Sequence, residues 1–384
     1  MRNCKLAAFL LTLCLLLPVL FGCALGGKPA GTDPADTTAK AATEPPEPEF
    51  AAYTILEKRQ YVKLIGRSQF VVGNVAADWT ASGIEFEYQG SGDLAIDVEK
   101  SGEGSVVLVA TVDGEEKPLT VSKNGDTTHQ IASNLPAGKH HVLIRRRTMV
   151  ASKVNGTAVG RQLQFKGIQL CGTFLRKPAD NTYKIAFIGD SITCGVGIPD
   201  GDGLATYAVD LCTREGFDYD VCPVSGIGVS HSTSQHGGTE NTMTKYYPYY
   251  NYYRSDVIRY SPERKADLVI VNLNTNDHNT GATETRYKTD LKTLISEIRA
   301  AHGQDVKIVW VVGQMIDKNE NVNKWLKAVF DELGGEGAGL YRIEVETDVS
   351  GESKHPSLES HKAVSTALSR FLREKNLLDL PPLE

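Results

Sequence analysis

Residues 184–197 read KIAFIGDSITCGVG. Four apolar residues in a row, Ile185 to Ile188, mark a strand buried on both faces. Gly189, Asp190 and Ser191 follow at once, and residues 192–197 lead toward a helical segment. Open parallel sheets carry their chemistry just beyond the C-terminal ends of their strands. Ser191 therefore stands where a nucleophile would stand. A serine hydroxyl attacks only when a base removes its proton, so the rest of the chain has to supply that base.

Downstream of Lys177-Pro178 the pattern alternates. Strands are predicted over 184–188, 219–224, 266–273, 307–312 and 340–345. Helices are predicted over 206–215, 283–301, 321–333 and 361–375. Such alternation makes βαβ units and a parallel sheet, an α/β domain over residues 179–384. Its strand ends carry the other candidates. Residues 223–230, PVSGIGVS, follow the second strand; Gly226 can bring its amide close to a substrate oxygen, with Gly228 as the alternative. Residues 272–277, NLNTND, follow the third, and Asn276 can offer a side-chain amide to a developing oxyanion. His355 follows the last strand, and a histidine has the near-neutral pKa that a general base requires. Glu352 precedes it by three residues and is placed to orient it. His231, His236, His278 and His361 lack this combination of strand end and upstream acid.

The middle of the chain has a different period. Ile84, Phe86 and Tyr88 alternate with Glu85 and Glu87, and Leu94, Ile96 and Val98 alternate with Ala95, Asp97 and Glu99. Val107 and Val109 precede the turn Asp113-Gly114, and Val142 and Ile144 follow Pro136-Ala137-Gly138. Short strands with Gly-rich turns, Asn155-Gly156 among them, predict an all-β sandwich of the jelly-roll kind over 51–178. Trp79 and Tyr88 read as packing residues rather than glycan platforms. Arg145-Arg146-Arg147 reads as a solvated strand end.

The N-terminus is a targeting segment. Arg2 and Lys5 precede an apolar run from Leu6 to Phe21, a signal peptide over 1–22. Leu20-Phe21-Gly22-Cys23 resembles a bacterial lipobox, which implies lipidation at Cys23. Residues 23–50, rich in Pro and Thr, form a tether that cannot bury a core. The expectation is an exported protein, held by lipid at Cys23 on the bacterial envelope and facing outward. Cys4 and Cys14 leave with the signal peptide, and Cys171, Cys194, Cys212 and Cys222 remain, with no pairing assigned. No CxxC pair or His/Cys ligand spacing suggests a metal, and no cofactor is expected. A net charge of −6 gives no reason to expect nucleic acid as a partner.

Taken in order, Gly189-Asp190-Ser191, Gly226, Asn276 and His355 resemble the blocks of the SGNH (GDSL) hydrolase superfamily. GDSITCGVG, VSGIGV, NTND and HPS, together with residues 61–67 (YVKLIGR), Trp79 and residues 83–86 (GIEF), resemble carbohydrate esterase family 2, the acetylxylan-esterase type. The resemblance implies a β-sandwich ahead of a three-layer α/β hydrolase domain. It implies Ser191 as nucleophile, His355 as base, and the Ser191 and Gly226 amides with the Asn276 side chain as oxyanion hole. It implies an acetylated polysaccharide as substrate. Three positions depart from the family. Asn274 stands where Gly is usual. Glu352 stands where Asp is usual, and Ser353-Lys354 replaces Asp-Trp. Either Glu352 completes a triad, or a backbone carbonyl steers His355 in a dyad. Two other functions fit the sequence: an SGNH esterase for lipid or wall acetyl groups, and a polysaccharide-binding lipoprotein whose hydrolase domain is vestigial.

Overall fold

A computed structural model of the chain describes residues 49–384, except 150–152, 155–156, 159–161, 251–257 and 383–384. The expected signal peptide, Cys23, nearly all of the expected tether and the Asn155-Gly156 turn lie outside the described residues.

Five strands form the parallel sheet: Lys184–Gly189, Asp218–Pro223, Leu268–Asn272, Lys307–Val312 and Leu340–Glu344. Lys184–Gly189 lies between Asp218–Pro223, an edge strand, and Leu268–Asn272, and Leu340–Glu344 forms the other edge. Because side chains alternate across a strand, each strand feeds two layers. Ala186, Ile188, Val269, Val271, Ile308 and Trp310 pack with Leu291, Leu294 and Ile298 of the helix Glu284–His302 and with Leu326 and Phe330 of the helix Asn321–Glu332. On the other face Ile185, Phe187, Ile270 and Val309 pack with Leu211 of the helix Tyr207–Glu215 and with Leu368 and Leu372 of the helix Leu358–Glu374. That is the three-layer arrangement the alternation predicts.

Among the described residues, nine strands of the β-rich part form one antiparallel sheet that curls over itself and encloses the all-β core expected there. The physical reason is strand length. Gly83–Ser101, Gly125–Arg146 and Gln162–Phe174 run through the whole structure. Their register shifts at Gly90, at Gly92 and between Leu170 and Cys171, and such bulges let a strand turn a corner. Ile84, Phe86, Tyr88, Leu94, Ile96 and Val98 all point into the enclosed core. In the strand Val106–Val112 the inward phase is Val106, Leu108, Ala110 and Val112, and Val107 is only half-buried.

The two sheets share a core. Val71, Ala76 and Trp79 from the β part sit in the same cluster as Ile188, Tyr247 and Tyr250. The Trp79 indole donates to the Tyr250 carbonyl at 2.7 Å, and the Tyr250 hydroxyl donates to the Ala76 carbonyl at 2.7 Å. Residues 48–384 accordingly pack as one compact unit. Arg146 is fully buried, which corrects its reading as a solvated strand end. Its guanidinium donates to the carbonyls of Thr148, Ala77 and Met149 at 3.0, 3.3 and 3.3 Å.

Candidate active site

Gly189 pairs in register with Pro223 on one side and Asn272 on the other. The loops that follow these three strands therefore leave the sheet side by side. This places the Asp190-Ser191 turn between the Gly226 loop and the Asn276 loop.

Ser191 is the first residue of the short helix Ser191–Cys194. Asp190 caps that helix, its Oδ1 accepting from the Ile192 N–H at 3.1 Å. The first amides of a helix have no partner within the helix. The Ser191 N–H is one of these and donates no bond among the described residues. Gly226 has φ +83°, a left-handed conformation. A Cβ added there would come within 2.7 Å of Thr233 Oγ1 and 3.2 Å of His236 Nε2. Glycine is thus required for the loop to close, and its N–H is likewise unspent among the described residues. Asn276 donates one Nδ2 hydrogen to the Ile227 carbonyl at 2.8 Å, and the other stays available.

Two buried side chains that the sequence reading passed over hold these donors in place. Asp277 is fully buried and accepts from the N–H groups of Val229, Ser230 and His231 at 2.7, 2.8 and 3.0 Å, and from the Ser230 hydroxyl at 2.9 Å. It ties the Gly226 loop to the Asn276 loop. His236 is fully buried, and its Nε2–H donates to the Ser225 carbonyl at 2.7 Å. Asp277 adjoins Asn276 in NTND, a readable signal; nothing in the sequence separates His236 from the other histidines.

His355 reaches the site from the far edge of the sheet. The helix Leu358–Glu374 brings it back by packing against the helix Tyr207–Glu215, where Ser369 Oγ and Arg373 Nη2 donate to Glu215 at 2.5 and 2.7 Å. The loop before His355 is anchored by Asp348, which accepts from Ser360 Oγ at 2.7 Å and Ser357 Oγ at 3.1 Å. Hydroxyl bonds from Ser350 and Ser360 hold the Asp348 carboxyl well below the usual carboxylate range. The Glu352 N–H donates to the Gly197 carbonyl at 3.2 Å and locks that loop against the stretch after Ser191.

His355 Nε2 lies 2.8 Å from Ser191 Oγ, and its Nδ1 lies 3.0 Å from the Ser353 carbonyl oxygen. A carbonyl can only accept, so Nδ1 carries the proton. The Nε2 lone pair then faces the serine hydroxyl, which is the tautomer a general base needs. Glu352 is not the partner of Nδ1. It begins the 3-10 turn Glu352–Lys354 with its side chain exposed, and Ser353 and Lys354 turn back with φ of 54° and 57°. That reversal aims the Ser353 carbonyl at the imidazole. The expected carboxylate is thus replaced by a backbone oxygen. Glu352→Gln is expected to lower kcat/KM only a few-fold, against the ~10⁴-fold loss when a triad carboxylate becomes an amide. Steady-state kinetics on p-nitrophenyl acetate check this; a loss above about 10³-fold would restore Glu352 to the site.

Asn274 has φ +98°, which explains a glycine preference at this position. Here two buried bonds hold the strained residue: Nδ2 donates to Asn323 Oδ1 at 2.8 Å, and Oδ1 accepts from the Tyr287 hydroxyl at 2.5 Å. The departure is compensated and leaves the adjacent Asn276 in place. Of the rival histidines, His361 is buried and accepts the Tyr207 N–H at Nδ1 (3.1 Å). Burial, then the nearby His355, pull it down to about 4. His278 lies 3.6 Å from Glu320. Among the described residues no cluster of three or more His, Cys, Asp or Glu could hold a metal.

Asp190, next to Ser191 in the chain, is fully buried. Burial first, then the charge of Asp277, push its carboxyl up to about 7. The native state therefore keeps a proton that the unfolded chain loses near pH 4. Stability contributed this way is present in acid and declines as pH rises from about 4 to about 7. Asp190→Asn is expected to melt with a flatter pH dependence between pH 5 and pH 8 than the native protein, followed by circular dichroism. Parallel curves would rule this out.

This fold and site define the class of GDSL serine esterases. Residues 187–362 match the GDSL-like lipase/acylhydrolase family, and residues 64–174 match the carbohydrate esterase 2 N-terminal family. With both parts in order, the chain joins a carbohydrate esterase 2 N-terminal part to a GDSL-like hydrolase part. It is 28% identical over 321 residues to a cellulase/esterase of Acetivibrio thermocellus, a match covering 77% of this chain and 37% of that longer protein. A family two carbohydrate esterase from Clostridium thermocellum, solved in complex with cellohexaose, superposes with TM-score 0.71 at 26% identity, covering 83% of this chain and 100% of that one. An acetyl xylan esterase from the rumen bacterium Butyrivibrio proteoclasticus shares the fold, with TM-score 0.70 at 20% identity over 85% of this chain and 98% of that one.

Proposed function

We propose that the protein is an exported, lipid-anchored serine esterase that removes O-acetyl groups from plant-type polysaccharides such as xylan and glucomannan. The 2.8 Å contact between Ser191 Oγ and His355 Nε2, with the proton on Nδ1, carries this reading. His355 takes the hydroxyl proton as Oγ attacks the acetyl carbonyl. The tetrahedral oxyanion accepts bonds from the N–H groups of Ser191 and Gly226 and from the free Nδ2 hydrogen of Asn276. As the intermediate collapses, the bond to the sugar oxygen breaks and His355 returns the proton to it. A water, deprotonated by His355, then attacks the acetyl-enzyme, and acetate leaves as Ser191 recovers its proton. No step draws on a metal or cofactor.

The family supports acetyl as the acyl group, and the names of the relatives support a plant polysaccharide as its carrier. Export and the anchor at Cys23 rest on the N-terminal segment. Acetate release from acetylated xylan, acetylated glucomannan and bacterial wall polymers tests the substrate. Release from the plant polymers, with nitrophenyl acetate preferred over longer acyl chains, is the expected result. A preference for long acyl chains or wall polymers would replace this reading with another esterase of the same class.

A further inference from the structure

The Ser353 carbonyl meets His355 Nδ1 because the chain doubles back at Ser353 and Lys354, whose φ angles of 54° and 57° are left-handed. Neither residue is glycine. A side chain in that region crowds its own backbone, and such strain persists only where the surroundings over-determine it. The turn therefore has to be held from outside.

Two contacts close on it. The first is a seam of glycines. The Glu352 N–H donates to the Gly197 carbonyl at 3.2 Å. A Cβ at Gly351 would come within 2.5 Å of that same oxygen, and a Cβ at Gly197 would come within 2.8 Å of His355 Cβ, so the two loops touch backbone to backbone. Within the turn, the Gly351 N–H donates to the His355 carbonyl at 3.0 Å and the His355 N–H to the Glu352 carbonyl at 3.1 Å.

The second contact is Asp348. Its Oδ1 accepts from the Ser350 N–H at 3.0 Å and from the Ser350 hydroxyl. Its Oδ2 accepts from the hydroxyls of Ser360 and Ser357 at 2.7 and 3.1 Å, and its own N–H donates to Ser360 Oγ at 3.2 Å. Ser350 lies before the left-handed turn. Ser357 and Ser360 lie after it, in the cap and first turn of the helix Leu358–Glu374, where a negative charge is favoured. One carboxylate thus ties the two ends of residues 350–357 together. Among the described residues, no other hydrogen bond joins residues 349–356 to the rest of the chain, the contact of His355 with Ser191 aside.

We propose that Asp348 is a positioning residue of the esterase: its carboxylate does not touch the imidazole but holds the left-handed turn that keeps the Ser353 carbonyl on His355 Nδ1. It does through the loop what a triad carboxylate does by contact. The proposal rests on the reading of Ser191 and His355 as nucleophile and base.

Asp348→Ala is expected to lower kcat for p-nitrophenyl acetate about 10- to 100-fold, the loss that follows a misplacement of about 1 Å. KM is expected to stay within about two-fold, because His355 serves both acylation and deacylation and the substrate keeps its own contacts. Asp348→Asn keeps one acceptor oxygen and is expected to lose less. The deciding variant adds Lys354→Gly to Asp348→Ala. Glycine adopts a positive φ freely, so the turn no longer needs holding, and most of the lost kcat is expected to return. A carboxylate that served stability alone gives no such rescue, since the glycine adds no contact. Should Asp348→Ala not fold, Ser360→Ala removes one donor only and carries the same test with a smaller loss. Nitrogen-15 spectra of histidine-labelled protein, assigned with His355→Gln, report on the neutral ring without any turnover. The Nδ1–H tautomer is expected in the native protein, and a shift toward Nε2–H in Asp348→Ala. If the native protein hydrolyses no ester, the esterase reading falls and the tautomer still decides the role of Asp348. A native kcat in Asp348→Ala, an unchanged tautomer, or a loss that Lys354→Gly leaves in place would each overturn the proposal.

Discussion

Ser191→Ala is expected to lower kcat/KM for p-nitrophenyl acetate by at least about 10⁴-fold, with the melting temperature nearly unchanged. The substitution removes one hydroxyl whose side-chain bond is to His355, and no other buried polar group loses its partner. The fold around it rests on the Asp190 cap and the Gly189 pairings, which the change does not touch. His355→Ala is expected to cost about as much. The double variant should lose little more than either single one, because nucleophile and base act as a unit. What turnover remains in all three comes from the oxyanion donors, which the substitutions spare. Nitrophenolate release under single-turnover conditions checks the series. Retention of more than about a hundredth of native activity in Ser191→Ala would place the nucleophile elsewhere. Fully additive losses in the double variant would mean that His355 does not act through Ser191.

The parallel sheet was legible because its signal is local. Buried strands such as residues 185–188 and amphipathic helices such as Glu284–His302 announce themselves through apolar runs and period. Ser191, Gly226 and Asn276 could be placed side by side because each stands just beyond a strand end and the parallel topology gathers those ends on one edge, whereas His355 lies eleven residues past the strand Leu340–Glu344 and is brought in by its loop. Ser353 could not be read this way. Its contribution is a backbone carbonyl, and every residue has one. Only the left-handed turn at Ser353 and Lys354 aims it at the imidazole. Arg146 misled for a related reason. Three arginines after a strand look solvated, but the middle one points inward where three carbonyls meet it. The all-β part was legible too, but its curl was not, because local period says where a strand alternates and not whether it continues through a bulge at Gly90 or Gly92.

Trp79→Ala is expected to destabilise the protein by about 3–5 kcal/mol and to lower the melting of both sheets together. Trp79 belongs to the β part by sequence, yet its side chain is 1% exposed among residues of the hydrolase part. Truncation would leave a cavity beside Tyr247 and Tyr250 and strip the Tyr250 carbonyl of its donor. Trp79→Phe refills much of the volume without the N–H, so it should recover most of the loss but not the last ~1 kcal/mol or so of the hydrogen bond. Chemical denaturation followed by far-UV circular dichroism and by residual esterase activity reads both changes. One coincident transition in all three proteins is expected, because a core built from both sheets cannot melt in halves. Two separate transitions, or an Ala variant as stable as the native protein, would defeat this account. The consequence reaches the active site. The Gly203 N–H donates to the Arg147 carbonyl at 3.1 Å, so a strand of the curled sheet fixes the loop that follows Ser191. Gly197 of the same loop accepts from Glu352 beside His355. The β part thus steadies nucleophile and base from behind, and losing its anchor at Trp79 should loosen the 2.8 Å contact on which the chemistry depends.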